Sequence, residues 1–300
     1  MPIPEAYPIR EFLNYLTFQK RYSRHTIISY ENDLTGFFDF IVLQYNSLEL
    51  AEISASVIRS WLASLKENKI TSKTINRKIS TLKSFFKYQL KMNKIGVNPV
   101  SAITSLKISR RLPSFVEQKD IKTLFDYVEF PDTWEGKTSR LLLMIFYQTG
   151  IRLSELINIK ESHVDTSKGS IKVLGKGNKE RIIPVNNNLL KEIEKYTAEK
   201  NFNIGEAQKD FLFINSKRKK LYPKYVYNVV KKYLGDVSTN ERKSPHVLRH
   251  TFATHLTNNG ADINAIKELL GHASLASTQI YTHNSIDKLK EVHKLAHPKS

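Results

Sequence analysis

Residues 244 to 256, SPHVLRHTFATHL, put three histidines and an arginine on one short segment. Ser244 before Pro245 reads as a helix start. Serine caps, and proline suits the first helical position because its missing N–H would go unbonded there anyway. His246 and Arg249 then fall three apart on one face within the first turn and a half. Free backbone N–H groups and the positive end of the helix dipole lie there too, a setting that holds an anion such as phosphate. A metal is the weaker reading of His246 and His250, since no glutamate fills the HExxH position and the chain has no cysteine to assist. His250 and His255 read as hydrogen-bonded interior histidines.

Two further stretches carry the same chemistry. GIRLSEL sets Arg152 at the start of a helix just after Gly150, with Glu155 three residues on. LLGHASLASTQIYTH sets His272 just past a glycine helix stop, with Tyr281 nine residues later in a short helix capped near Ser277. Two arginines, two histidines and a tyrosine in a basic domain form an inventory for phosphoryl transfer without a metal or cofactor.

These side chains must be positioned by folded elements. Three hundred residues with 40% apolar content suffice for two packed domains. From Ile9 to Leu90 apolar residues recur at helical spacing, as in Ile75, Ile79, Leu82, Phe86 and Leu90. This predicts helices near 8–20, 24–45, 55–66 and 72–91, with caps at Ser23, at Ser54 or Ser56, and at Thr71 or Ser72. Residues 1–95 thus read as a helical bundle. The fourth helix bears Lys73, Arg77, Ser80, Ser84 and Lys87 opposite its apolar stripe, with Asn76 and Lys83 at the flanks. Such a face fits a major groove, although a solvated helix looks the same. Residues 96–116 hold Gly96, Pro99, Pro113 and the Arg110-Arg111 pair with no sustained period, and read as a linker.

From 117 to 300 the pattern gives a helix near 117–129, an apolar helix stopped by Gly150, and a short helix in LSELINI. SIKVLGKGNKERIIPV follows as two strands about a Gly-Lys-Gly-Asn turn, then further helices. The expected fold is mainly α with a small antiparallel sheet. A terminal amphipathic helix over 285–296 is too short to stand without a surface to bury against, which its own domain or a neighbouring protomer could supply.

Charge points to a polyanionic partner, with a merely solubilising surface as the alternative reading. The net charge of +18 divides into +8 over residues 1–110 and +10 over the rest, so both domains suit one long polyanion such as duplex DNA. The lack of cysteine excludes disulfides and thiolate chemistry and weighs against a zinc finger. No run approaches a membrane span. The start MPIPEAYPIREF has prolines and a glutamate where a signal peptide needs a basic head and an apolar core. A cytoplasmic, nucleoid-associated protein is the expectation.

GIRLSELINI, GKGNKERIIPV, PHVLRHTFATHL and LLGHASLASTQIYTH, in this order and spacing, closely resemble the tyrosine recombinase (lambda-integrase-like) family, most of all its XerC/XerD branch. The helical bundle resembles the family's SAM-like core-binding domain. The resemblance implies that Tyr281 is the nucleophile and that Arg152, Arg249 and His272 hold the phosphate oxygens. His246 would act as general base or as a further phosphate donor. Lys176, at the hairpin tip, resembles the general acid, with Lys179 the lesser candidate, and Glu155 would orient Arg152 or His246. DNA contacts would come from Lys73, Asn76, Arg77, Lys83, Lys87, Arg110 and Arg111. The resemblance further implies a cyclic tetramer with itself or a paralogous recombinase, its tails exchanged, on a dif-like site, and a septal DNA translocase of the FtsK kind as partner. No cofactor is implied. Chromosome dimer resolution is the expected role. A phage or transposon integrase, a type IB topoisomerase and a non-catalytic DNA-binding protein are the alternatives.

Overall fold

A computed structural model describes residues 8–108, 114–175, 180–204 and 210–271. The chain divides into two compact units, Met1–Arg111 and Leu112–Ser300.

The first unit is helical: α1 (Ile9–Asn14) running into a π-helical turn (Tyr15–Gln19), α2 (Arg24–Tyr45), α3 (Ala55–Glu67) and α4 (Ser72–Lys91). The cap residues expected from sequence set the starts of α2 and α4. Ser23 Oγ accepts from Thr26 N (3.3 Å) and Thr71 Oγ1 from Thr74 N (3.4 Å). Ser54 occupies the cap position of α3, but its hydroxyl bonds Ser56 Oγ instead (2.6 Å). Phe12, Phe37, Phe38, Trp61, Phe85 and Phe86 fill the core. Most of their ring pairs meet edge to face, as in Phe12 against Phe85 (5.4 Å, 86°), the arrangement that the ring quadrupole favours.

Two details depart from the pattern reading. The apolar stripe of α4 does not end on Leu90, which is 38% exposed. Its last step is three residues rather than four, and brings Gln89 inside. The stretch read as a linker is shared out between the units: Val100 and Ile103 pack in the first core, Val116 in the second.

The second unit contains α5 (Gln118–Asp126), α6 (Trp134–Thr149), α7 (Leu153–Leu156), β1 (Val164–Asp165), β2 (Ser170–Leu174), β3 (Glu180–Pro184), α8 (Asn187–Ile204), α9 (Pro223–Val237), α10 (Pro245–Asn258) and α11 (Ile263–Leu270). The strands form one antiparallel sheet in the order β1-β2-β3, with Ile171 opposite both Val164 and Ile183. The β2–β3 hairpin was legible in sequence. Two-residue β1 is too short to show a period. α6 is the central rod, buried at nearly every residue from Thr138 onward, and it packs against α8 and α10. It ends at Gly150 (φ +58), where a side chain would be strained and a Cβ would also overlap the Phe252 ring and a Leu270 methyl. No helix among the described residues is long and apolar enough to cross a membrane.

Candidate phosphate-binding site

The site grows from the end of α6. Gly150 turns the chain sharply, so that Arg152 becomes the residue capping α7 and Glu155 its third. Glu155 accepts from the Arg152 backbone N–H (2.8 Å) and from Arg152 Nη1 (2.7 Å). One carboxylate therefore fixes both the backbone and the side chain of Arg152. Glu155 is buried and receives a second guanidinium: Arg181 Nη1 donates to Oε1 and Nη2 to Oε2, both at 2.8 Å. Burial pushes this carboxyl up. The bonds from Arg181 and from the Arg152 backbone N–H outweigh that and hold it at about 2, so it is ionised at any working pH.

Arg249, on α10, is only 8% exposed. Its Nη1 donates to Gly150 O (2.6 Å) and its Nη2 to Leu270 O (2.7 Å). Burial, with the charge of nearby Arg152, brings it down to about 10, still protonated at neutral pH; Glu155 opposes the fall. Arg152 Nη2 reaches Gly271 O (2.9 Å), and Arg181 Nε reaches Leu269 O (2.8 Å). Three successive carbonyls at the end of α11 are thus taken by three different arginines. Those carbonyls lack intrahelical donors and carry the negative end of the helix dipole, so they are natural guanidinium acceptors. The result is three cations gathered around one carboxylate, a net positive locus in which the Arg152 side chain remains 30% exposed.

His246 lies one turn before Arg249 on α10 and is exposed. The start of α10 falls where the sequence puts it, but without the side-chain bond of a serine cap. Ser244 stands at the capping position, but its hydroxyl makes no capping bond; its carbonyl takes Val247 N (2.9 Å) while Pro245 opens the helix. His255 is interior, as its position suggested. Nε2 meets Val116 O (3.0 Å) and Nδ1 meets the Tyr147 hydroxyl (3.2 Å), so Nε2 carries the proton and Nδ1 accepts; burial lowers its pKa. His250 is half-buried.

The structure therefore brings together Arg152, Glu155 and Arg249, with His246 on the same helix as Arg249. Lys176, Lys179, His272 and Tyr281 lie outside the described residues, as do Arg110, Arg111 and the 285–296 tail. Of the α4 face, Lys73, Lys83 and Lys87 are exposed. Arg77 and Lys78 instead bind the buried carboxylate of Asp33, to which Thr81 Oγ1 also donates (2.9 Å). Asn76 is engaged as well: Nδ2 donates to Leu106 O (2.9 Å) and Oδ1 accepts from Leu106 N (2.7 Å).

Sequence reading missed Arg181. A signal for it existed. In the hairpin register Arg181 stands opposite Val173, a buried residue, and two residues before buried Ile183. Residues directly opposite in an antiparallel pair share a face, so this arginine points inward with the core side chains.

The phage integrase family model matches residues 114–287, and the phage integrase N-terminal SAM-like domain matches residues 9–93. The chain is 39% identical over 301 residues to tyrosine recombinase XerC of Thermodesulfovibrio yellowstonii, covering 97% of this chain and 96% of that one. It is 38% identical over 292 residues to tyrosine recombinase XerC of Staphylococcus aureus, covering 96% of each. Among solved structures, the pre-cleavage complex of the XerH site-specific recombinase with its difH substrate superposes with a TM-score of 0.67 at 26% identity, over 88% of this chain and 78% of that one.

Proposed function

Because the chain belongs to the phage integrase family and is a site-specific tyrosine recombinase, an enzyme that cleaves and rejoins DNA, we propose that it works through a 3′-phosphotyrosyl intermediate at a dif-like chromosomal site and resolves chromosome dimers. The observation that carries the chemistry is the convergence of Arg152 and Arg249 on adjacent carbonyls, with Glu155 bonded to Arg152.

A guanidinium fork matches the non-bridging oxygens of a phosphodiester and keeps its charge. The Tyr281 phenolic oxygen attacks phosphorus; the new O–P bond forms as the bond to the 5′-oxygen breaks. The phenol's proton passes to His246 or to water, and the departing 5′-oxygen takes a proton from Lys176. His272 adds a donor to the same oxygens. The pentacovalent transition state carries more charge on those oxygens than the ground state, so preplaced cations lower the barrier, each worth roughly 10²–10³ in rate. The phosphotyrosyl ester keeps the energy of the broken bond. Rejoining by attack of another 5′-hydroxyl therefore needs no ATP, and this sequence of bond exchanges calls on no metal.

Duplex DNA would lie against both units, each of them basic, with exposed Lys73, Lys83 and Lys87 on α4 as phosphate contacts. Four protomers, alike or shared with a paralogue, would form a cyclic assembly tied by the 285–296 tails. A septal translocase would bring the sites together, in the cytoplasm at the nucleoid. The XerC relatives, together with a structural neighbour captured on a difH substrate, support this over a viral integrase.

Covalent trapping in cells, followed by sequencing of the attached DNA, tests the reading. One chromosomal locus with inverted half-sites is expected, and the Tyr281→Phe variant should recover nothing above background. DNA recovered evenly across the genome would favour a topoisomerase. Recovery undiminished by Tyr281→Phe would refute the phosphotyrosyl step.

A further inference from the structure

Arg181 on β3 stands under the site and touches both of its halves. Its guanidinium holds each oxygen of Glu155, and Glu155 holds Arg152. Its Nε holds Leu269 O at the end of α11, one residue before the carbonyl held by Arg249 and two before that held by Arg152. Gly271, at φ +63, packs so closely on Arg181 that an added Cβ would sit 3.1 Å from both Cδ and Nη1. The next residue in sequence is His272. Three of the five N–H donors of Arg181 are thus spent on protein acceptors, and its side chain is only 13% exposed.

We infer that Arg181 is a positioning residue for DNA cleavage: it locks the carboxylate that aims Arg152 to the α11 terminus that leads into His272, and makes no contact with DNA itself. This rests on the phosphotyrosyl reading above. Two connections follow from one guanidinium. Without it, Arg152 keeps its bond to Glu155 but the pair loses its anchor on the sheet. The α11 terminus keeps Arg249 and Arg152 but loses the grip on Leu269. Displacement of a catalytic group by about 1 Å costs on the order of 10²-fold in rate, because alignment with the reacting phosphorus is lost while binding elsewhere on the duplex persists.

The test compares wild type, Arg181→Gln and Arg181→Lys on a nicked suicide duplex carrying the recombination site, under single-turnover conditions with protein in excess. Two quantities are read: the rate of covalent complex formation and the Kd for the duplex. For Arg181→Gln we expect cleavage slowed about 10²-fold with Kd changed less than about threefold, since the phosphate contacts that set affinity lie elsewhere. Arg181→Lys restores a charge but not the two-pronged grip, so it should remain at least about tenfold slow; it decides the matter should the glutamine variant fail to fold.

The pH profile separates positioning from mere stability. The charges bearing on Glu155 are Arg152 on its own helix, Arg181 on β3 and Arg249 on α10. With Arg181 gone, burial raises the Glu155 carboxyl. Cleavage by the glutamine variant should then fall further as pH is lowered from 7 to 5, while wild type shows no such added loss. Wild-type cleavage rates with the wild-type pH profile in the variants would overturn the inference. Absence of a covalent complex in wild type itself would instead overturn the phosphotyrosyl reading.

Discussion

Replacing Glu155 by glutamine keeps the side chain's shape and removes the charge that two guanidiniums share. The stability difference between wild type and variant should depend on pH in a calculable way. The carboxyl sits at about 2 in the folded chain against an ordinary 4.5. A depressed folded pKa contributes stability that is fully present above the unfolded value and is lost as pH falls through the folded one. At about 1.4 kcal/mol per pH unit, the full contribution at pH 7 is about 3 kcal/mol. It is still almost whole at pH 5 and has fallen by about 2 kcal/mol at pH 3. Every other carboxylate is common to both proteins, so its titration cancels in the difference.

The assay is urea unfolding followed by tryptophan fluorescence. Of the two tryptophans, Trp61 is in the first unit and Trp134 in the second, stacked on Tyr196. In a Trp61→Phe background the signal reports on the catalytic unit alone. A wild-type advantage that stays constant between pH 5 and pH 3, or that is absent at pH 7, would refute the account of Glu155 as a buried, ionised anchor.

Gly150→Ala should destabilise the same unit by about 2–5 kcal/mol, combining a left-handed backbone penalty of about 1–2 kcal/mol with crowding of Phe252 and Leu270; the Trp134 signal reads it, and cleavage should fall as the Arg249 acceptor shifts. Asp33→Asn leaves Arg77 and Lys78 without their shared anion. Arg77 is 47% exposed and can turn to water, so the cost should fall at or just below the low end of the range for a broken buried pair, about 2–3 kcal/mol, read from Trp61 in a Trp134→Phe background. Lys73→Gln, Lys83→Gln and Lys87→Gln should each flatten the plot of log affinity against log salt by about 0.9, with no change in the stability of either unit; unchanged slopes would remove α4 from the DNA contacts.

Much of this architecture could be read from the chain because the local signals agreed. Ser23 and Thr71 cap helices as their types suggest, Gly150 and Gly271 stop helices in the left-handed conformation, and Arg152 and Glu155 sit three apart on the helix that joins them. What escaped was set by distant contacts. Nothing near Asn76 announces that its amide will hold the backbone of Leu106, thirty residues away. Nor does α4 show that Arg77 will turn to a carboxylate buried on α2. Gln89 enters the core, and Leu90 leaves it, because packing fixes the rotation of the last turn more finely than a spacing of three or four can. Arg181 was hidden differently. A strand of five residues gives few alternations, and a charged residue on its inner face breaks the apolar pattern at the very position where function needs it.

In the proposed reaction the oxygen of Tyr281 attacks a phosphorus held by Arg152 and Arg249. The most direct measurement is the mass of the proteolytic peptide that retains nucleotide after reaction with a suicide duplex. A peptide spanning Tyr281, modified on the tyrosine through a 3′-phosphate and missing in reactions of Arg249→Lys stopped at the wild-type half-time, is the expected result. Nucleotide on any other residue, attachment through a 5′-phosphate, or undiminished adduct in the arginine variant would contradict it.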